Sequence, residues 1–249
     1  MFTLKIACLR IQPKQLMEHI LDNPAWNALV SGNKHLGKGT DKVKYFIPDV
    51  SPFVALYENT DQSLYLLDQV IPFNSPIGII SAVPLSIPDP WTLLQRVDGL
   101  QMIYEAKAGQ PSGDLAIRPL TDADIPDMLA LTQLTRPGPF STRTIEFGYY
   151  EGIFDQSQLV AMTGQRLNPF NYTEVSAVCT HPDYLGKGFA RQLITNQLHR
   201  IQKTGGIPFL HVRSDNQRAI QIYEDMDFKV RTEIYFYFIR ACWGIDKDW

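Results

Sequence analysis

The chain has 249 residues, 45% of them apolar and 20% charged, and carries a formal net charge of -3. That length allows one or two domains, and the composition is that of a soluble globular protein rather than a disordered or fibrous one. A slightly acidic balance without a long run of Lys or Arg excludes an electrostatic argument for nucleic acid as a partner.

Cys8, Cys179 and Cys242 are too few and too widely spaced for a disulfide framework or a zinc site, so no metal is expected. Lys5 and Arg10 interrupt the first apolar residues, and Gly78, Ser81 and Pro84 break the apolar stretch from Ile77 to Leu85. Neither a signal peptide nor a membrane span is expected, and the protein reads as cytoplasmic with no membrane partner.

In chain order, Lys14 to Leu21 has helical spacing, with Leu16, Met17 and Ile20 on one side, and Asn23-Pro24 breaks it. Gly32 to Gly39 nearly spells a phosphate-binding P-loop. Gly39, however, stands where a magnesium-holding Ser or Thr belongs, and no amphipathic helix follows, so a mobile surface loop is expected. Pro52 to Tyr57 and Ile77 to Val83 read as short strands. Gln62 to Val70 reads as a helix with Leu66, Leu67 and Val70 inward. Ala106 to Asp114 collects two glycines, a proline and a serine, and is the expected linker. Residues 1–110 are therefore read as a small α/β companion domain and 114–241 as a second domain.

Past the linker, Leu115 to Leu120 is a strand candidate, and Thr121 to Asp124 offers capping residues for a helix to about Thr132. Tyr149 to Phe154 and Leu159 to Leu167 read as a hairpin, followed by a strand from Thr173 to Thr180. In such a strand Glu174, Ser176 and Val178 share one face. Phe189, Leu193, Ile194, Leu198 and Ile201 follow helical spacing up to Gly205-Gly206. Phe209 to Val212 is a strand, Ala219 to Met226 a short helix, and Phe228 to Ile239 a strand. Its Tyr235 to Phe238 stripe reads as strand packing rather than a nucleic-acid platform.

Chemistry concentrates at Gly186-Lys-Gly-Phe-Ala190, between a strand and a helix. Small residues at 186, 188 and 190 let backbone approach a ligand. The bare N–H groups of a helix's first turn favour an anion there. Downstream, Asn216, Ala219 and Tyr223 lie at spacings of three and four, on one helix face, with Phe228 after them.

Val178-Cys-Thr-His-Pro-Asp-Tyr-Leu-Gly-Lys-Gly-Phe-Ala190, together with Asn216 to Phe228, resembles the GNAT superfamily of N-acetyltransferases over roughly Asp114 to Arg240. The resemblance implies an α/β (α+β) fold, with a mixed, mostly antiparallel sheet flanked by helices. It also implies an enzyme that moves an acetyl or short acyl group from acetyl-CoA to a primary amine by direct attack in a ternary complex. Main-chain groups of Leu185, Gly186, Lys187, Gly188, Phe189, Ala190 and Arg191 then take the pyrophosphate. Val178, Cys179 and Thr180 pair with the pantetheine arm, and Asn216 and Ala219 complete the cosubstrate site. Tyr223 matches the acid for the departing thiolate, and Glu174 is the candidate base, with His181 and His211 as others. Cys179 has no neighbouring base and is not expected to act as a nucleophile.

Leu185 and Asp227 depart from the family pattern, which has Arg or Gln and Gly there. Asp tolerates the left-handed turn that position needs. The two-part layout is similar to the glycine N-acyltransferase branch, with a first half that reads as a companion, or as a degenerate GNAT-like copy. The expected partners are acetyl-CoA and an amine acceptor, in a monomer or homodimer. Small amines, amino acids and protein N-termini all fit as acceptors. An acyl-CoA-binding regulatory module without turnover and a nucleotide hydrolase using the 32–39 loop are the competing readings.

Overall fold

The computed structural model describes residues 19–110 and 116–241. Residues 14–18 of the expected first helix and 111–114 of the expected linker lie outside these residues. The strands are β1 (Gly37–Gly39), β2 (Val43–Phe46), β3 (Phe53–Leu56), β4 (Ile77–Ser81), β5 (Trp91–Tyr104) and β6 (Ile117–Pro119). They continue with β7 (Glu151–Asp155), β8 (Gln158–Gln165), β9 (Tyr172–Thr180), β10 (Ile207–Arg213) and β11 (Phe228–Ala241). The helices are α1 (Pro24–Val30), α2 (Asp61–Val70), α3 (Ile125–Thr135), α4 (Phe189–Lys203) and α5 (Gln217–Glu224).

All eleven strands join one mixed sheet in the order β1-β2-β3-β4-β11-β5-β10-β9-β8-β7-β6. Apart from the extra edge strand β6, the order is symmetric about the β11–β5 pair. On one side β3 runs parallel to β4, with α2 between them; on the other β9 runs parallel to β10, with α4 between them. Each half then hands its last strand to the other: β5 pairs with β10, and β11 pairs with β4. The strand at 91–104, on the N-terminal side of the expected linker, thus lies in the middle of the sheet. The two halves share a continuous backbone ladder.

Apolar side chains cover both faces of the sheet. One core packs α1 and α3 against it through Leu21, Leu29, Phe53, Met128 and Phe209. On the other face α2 packs through Leu64 and Leu67 onto Ile79 and Tyr237. There α4 and α5 pack through Ile194, Leu198 and Ile220 onto Met102 and Phe228. No helix of the described residues is long and apolar enough to cross a membrane.

Local chemistry accounts for most boundaries. Thr121 and Asp124 form a reciprocal capping box ahead of α3. Thr60 caps α2 by accepting from the Ser63 N–H at 3.1 Å. Asn23-Pro24, read as a break, starts α1 instead: Pro24 occupies the first helical position, where its missing N–H costs nothing. The 32–39 segment is likewise not a mobile loop. Gly32 packs against Asn168, and Gly37–Gly39 forms the edge strand β1 with no helix after it.

Candidate active site

The site begins with an irregularity in β9. Ala177 adopts φ 52°, and the β8–β9 register shifts beside it. This is a bulge: one extra residue turns the side chains after it onto the other face. Glu174 and Val178, expected on one face, therefore lie on opposite faces. Glu174 meets Arg166 and His211, whereas Val178 packs with the α4–α5 core. The bulge also ends pairing with β10, which touches β9 only from Ile207–Tyr172 to Phe209–Glu174. Beyond that point the two parallel strands part.

A cleft of about 180 Å³ lies on the α4–α5 side of the gap, lined by Val178, Cys179, Thr180, Leu185, Ala190, Asn216, Ala219 and Tyr223, with Ile194, Arg218 and Ile222. The structure thus brings eight of the sequence-derived candidates together. Ile194, Arg218 and Ile222 were missed, although Ile194 and Ile222 follow the same helical spacing as their neighbours. At the end of this cleft the chain turns through Gly186 and Gly188, at φ +80° and +77°. Glycine reaches these angles without strain. The space where a Cβ would stand is open at both residues. Gly188 is the N-cap of the 15-residue α4, and no side chain caps that helix. Its first-turn N–H groups therefore remain available to an anion.

Lys187, Phe189 and Arg191 do not line the cleft. The Lys187 ammonium lies 4.4 Å from the centre of the Tyr184 ring, Phe189 stacks on the same ring, and Arg191 is exposed. Asn216 is the N-cap of α5, its Oδ1 accepting from the Ala219 N–H at 3.1 Å, so half of its amide is spent on the helix. Asp227 does take the left-handed turn, at φ 69°.

The Tyr223 ring packs edge-on against Phe228, and burial pushes its phenol up to about 12, so the group keeps its proton at neutral pH. Burial also pushes the Cys179 thiol up to about 12, which leaves it a poor nucleophile. His181 caps a short turn, accepting from the Asp183 N–H.

Glu174 is the clearest departure from expectation. Its carboxylate is 1% exposed and receives two N–H groups from Arg166, at 2.6 and 2.9 Å, and one from Leu167. His211 Nδ1 lies 2.7 Å from the remaining lone pairs. Although burial alone would raise it, Arg166 and His211 hold the carboxyl down to about 2. So deep a value makes it a poor acceptor for an ammonium proton, which argues against Glu174 as the base. His211 is no readier. Gln101 Oε1 accepts from Arg231, which turns Gln101 Nε2 toward Leu21 O and His211 Nε2. Donation from that amide places the ring proton on Nδ1, facing Glu174, and leaves neither nitrogen spare. Arg231 also pairs with Asp22. The whole set ties β5, β9, β10 and β11 together.

On the opposite face of the gap is a second cavity, of about 380 Å³. Phe53, Phe236 and Phe238 contribute aromatic surface, and Arg136, Arg166 and Arg213 contribute guanidinium groups. A small adjoining pocket shares Pro137, Gly138, Pro139 and Arg166 with it and reaches Ser176 and Ala177 at the bulge. Among the described residues, no group of three or more His, Cys, Asp or Glu side chains is placed to hold a metal.

Comparison with known proteins bears on the fold that carries this site. Residues 150–237 match the family model of FR47-like proteins. An 85-residue stretch is 33% identical to the N-alpha-acetyltransferase RimI of Mycobacterium tuberculosis, covering 32% of this chain and 52% of that protein. The chain thus spans about half the length of the curated relative it matches. A putative GNAT-family acetyltransferase from Novosphingobium aromaticivorans superposes with a TM-score of 0.83 at 29% identity, covering 90% of this chain and 99% of that one. A GCN5-related N-acetyltransferase from Kribbella flavida shares the fold at 11% identity, with a TM-score of 0.58 over 87% of this chain and 95% of that one. With a match to the FR47-like model over residues 150–237 and a GNAT fold, the chain is similar to acetyltransferases of the GNAT family.

Proposed function

We propose that this chain transfers an acetyl or short acyl group from acetyl-CoA to a primary amine, which attacks the thioester directly in a ternary complex. The observation that carries the reading is the open, side-chain-uncapped turn at Gly186–Gly188, set at the end of the cleft that holds Tyr223. Main-chain N–H groups at residues 185–191 bind the pyrophosphate, and the unpaired edge at Val178, Cys179 and Thr180 takes the pantetheine arm. Asn216 and Ala219 border it. Tyr223, protonated at neutral pH, donates to the thiolate as it leaves. Among the described residues no side chain is placed as a strong base, so the acceptor reacts from its neutral form, and the proton its nitrogen loses on acylation passes to solvent, which restores that of Tyr223. The Arg136 guanidinium of the second cavity, which no carboxylate of the described residues pairs, favours that form by disfavouring the ammonium.

We further propose that residues 1–110 are a degenerate copy of the 114–241 acetyltransferase part, an organisation similar to that of the glycine N-acyltransferase branch. The matching order of strands on either side of β11–β5 supports it.

Initial rates of thiol release with a panel of amines, at several acetyl-CoA concentrations, test the reading. Intersecting double-reciprocal lines are expected. Parallel lines would indicate a covalent acyl-enzyme, and tight acetyl-CoA binding without thiol release on any amine would make the chain a binding module.

A further inference from the structure

We propose that the acceptor is a small amino-acid-like molecule, bearing a carboxylate beside its amine and an apolar or aromatic side chain. It sits in the cavity opposite the acetyl-CoA cleft, with its carboxylate on Arg136. This rests on the acetyltransferase reading above and names its second substrate.

Size and chemistry of the cavity both point there. At about 380 Å³ it has the volume of a small-molecule site, not of an extended polymer groove. Its lining carries three guanidinium groups and no carboxylate. Arg166 is spent on Glu174, and Arg213 is paired at the surface with Asp215. Arg136 has no carboxylate partner among the described residues. A guanidinium fork matches a carboxylate with two parallel hydrogen bonds, so Arg136 is suited to one in the ligand.

The backbone beneath Arg136 is also unusual. It closes α3 in the left-handed region, at φ 50° and ψ 54°, a conformation that a non-glycine residue adopts only at a cost. Pro137, Gly138 and Pro139 follow and line the same cavity. Prolines on both sides of Gly138 restrict the backbone of the loop that carries Arg136 at the mouth.

Phe53, Phe236 and Phe238 give the rest of the lining its character. The Arg166 guanidinium lies 5.1 Å from the centre of the Phe53 ring, and Phe53 is itself 6.1 and 6.3 Å from the Phe236 and Phe238 rings. Such a wall suits an apolar or aromatic side chain. A purely cationic amine meets like charge and gains no compensating pair, which is how the cavity rejects it.

The test uses the full chain with four probes at saturating acetyl-CoA: L-phenylalanine, L-phenylalaninamide, phenethylamine and a short peptide with an N-terminal Phe. The expected kcat/KM for L-phenylalanine exceeds that for each of the others by about 10- to 100-fold, the scale of one charged hydrogen-bonded pair. Arg136→Gln should erase most of that preference by raising the KM for L-phenylalanine, leaving the KM for acetyl-CoA within about twofold. A preference for phenethylamine or the peptide, or an unchanged preference in Arg136→Gln, overturns the proposal.

A measurement without turnover separates its failure from that of the acetyltransferase reading. N-acetyl-L-phenylalanine should bind wild type, as followed by ligand-observed NMR, and N-acetylphenethylamine should bind much more weakly. Arg136→Gln should remove the difference. That pattern with no thiol release on any amine would keep the carboxylate site and sink the transfer reading. Thiol release without any carboxylate-dependent binding would do the reverse.

Discussion

The two halves of the sheet repeat one plan, and they differ most in the turn that follows their parallel strands. After β3 the chain runs Tyr57-Glu58-Asn59-Thr60 into α2, with an acidic residue and no glycine. Thr60 accepts from the Ser63 N–H and so caps the helix, and Asn59 donates to Ile80 O. After β9 the corresponding route passes through Gly186 and Gly188 into a helix that no side chain caps. The same strand–helix–strand frame thus carries a closed turn in one half and an open one in the other. Binding chemistry belongs to the turn, not to the frame.

The largest effect is expected where the halves are joined. Glu174→Ala leaves the Arg166 guanidinium and His211 buried without their carboxylate, a loss of about 3–5 kcal/mol measured by denaturant or thermal unfolding. Glu174 also sets an acid limit. Its folded-state value lies below the ordinary 4.5, at about 2, so its stabilisation is complete above pH 4.5 and fades as the pH falls toward 2. Asp124, held at about 2 mainly by Arg118, loses its contribution over a similar range below 3.8. Stability measured from pH 7 to 2 should be level above about pH 5 and fall below it. A flatter acid limb is expected in Glu174→Gln, and an unchanged one would show that the buried pair is not its source.

Next in size is Gly188→Asp, which adds a negative charge where the pyrophosphate is expected. Acetyl-CoA affinity should fall at least about 100-fold, or about 2.7 kcal/mol, while the side chain at φ +77° costs about 1 kcal/mol of stability. Tyr223→Phe should lower kcat about tenfold and leave acetyl-CoA affinity nearly unchanged, since it removes a proton donor and keeps the ring. The smallest effect is the control from the closed turn. Thr60→Ala should cost about 1 kcal/mol of stability through the lost cap and leave acetyl-CoA binding untouched.

The parts of the molecule that were legible in the sequence are the local ones. Glycines at 186 and 188, a helix with periodic Leu193, Ile194 and Leu198, and Asn216 and Tyr223 on one face are signals within a few residues of one another. They assemble as expected because helix spacing alone brings them together. The second cavity was far less legible, above all because β5 was not. Its sequence Trp91 to Tyr104 lacks clean alternation, because its first half carries the exposed Leu93, Leu94 and Arg96 and its second half is largely buried. Its neighbours, β10 and β11, lie more than a hundred residues away. The bulge at Ala177 gave no warning either, since alanine is an uncommon residue at positive φ. That one residue moved Glu174 away from Val178 and changed it from a candidate base into a clamp.

Calorimetric titration of acetyl-CoA into wild type, Gly188→Asp and Thr60→Ala tests the asymmetry between the two turns most directly. Tight binding by wild type and Thr60→Ala, with loss of at least about 100-fold in Gly188→Asp, is the result expected. Wild-type affinity in a folded Gly188→Asp chain would contradict it and place the cosubstrate elsewhere.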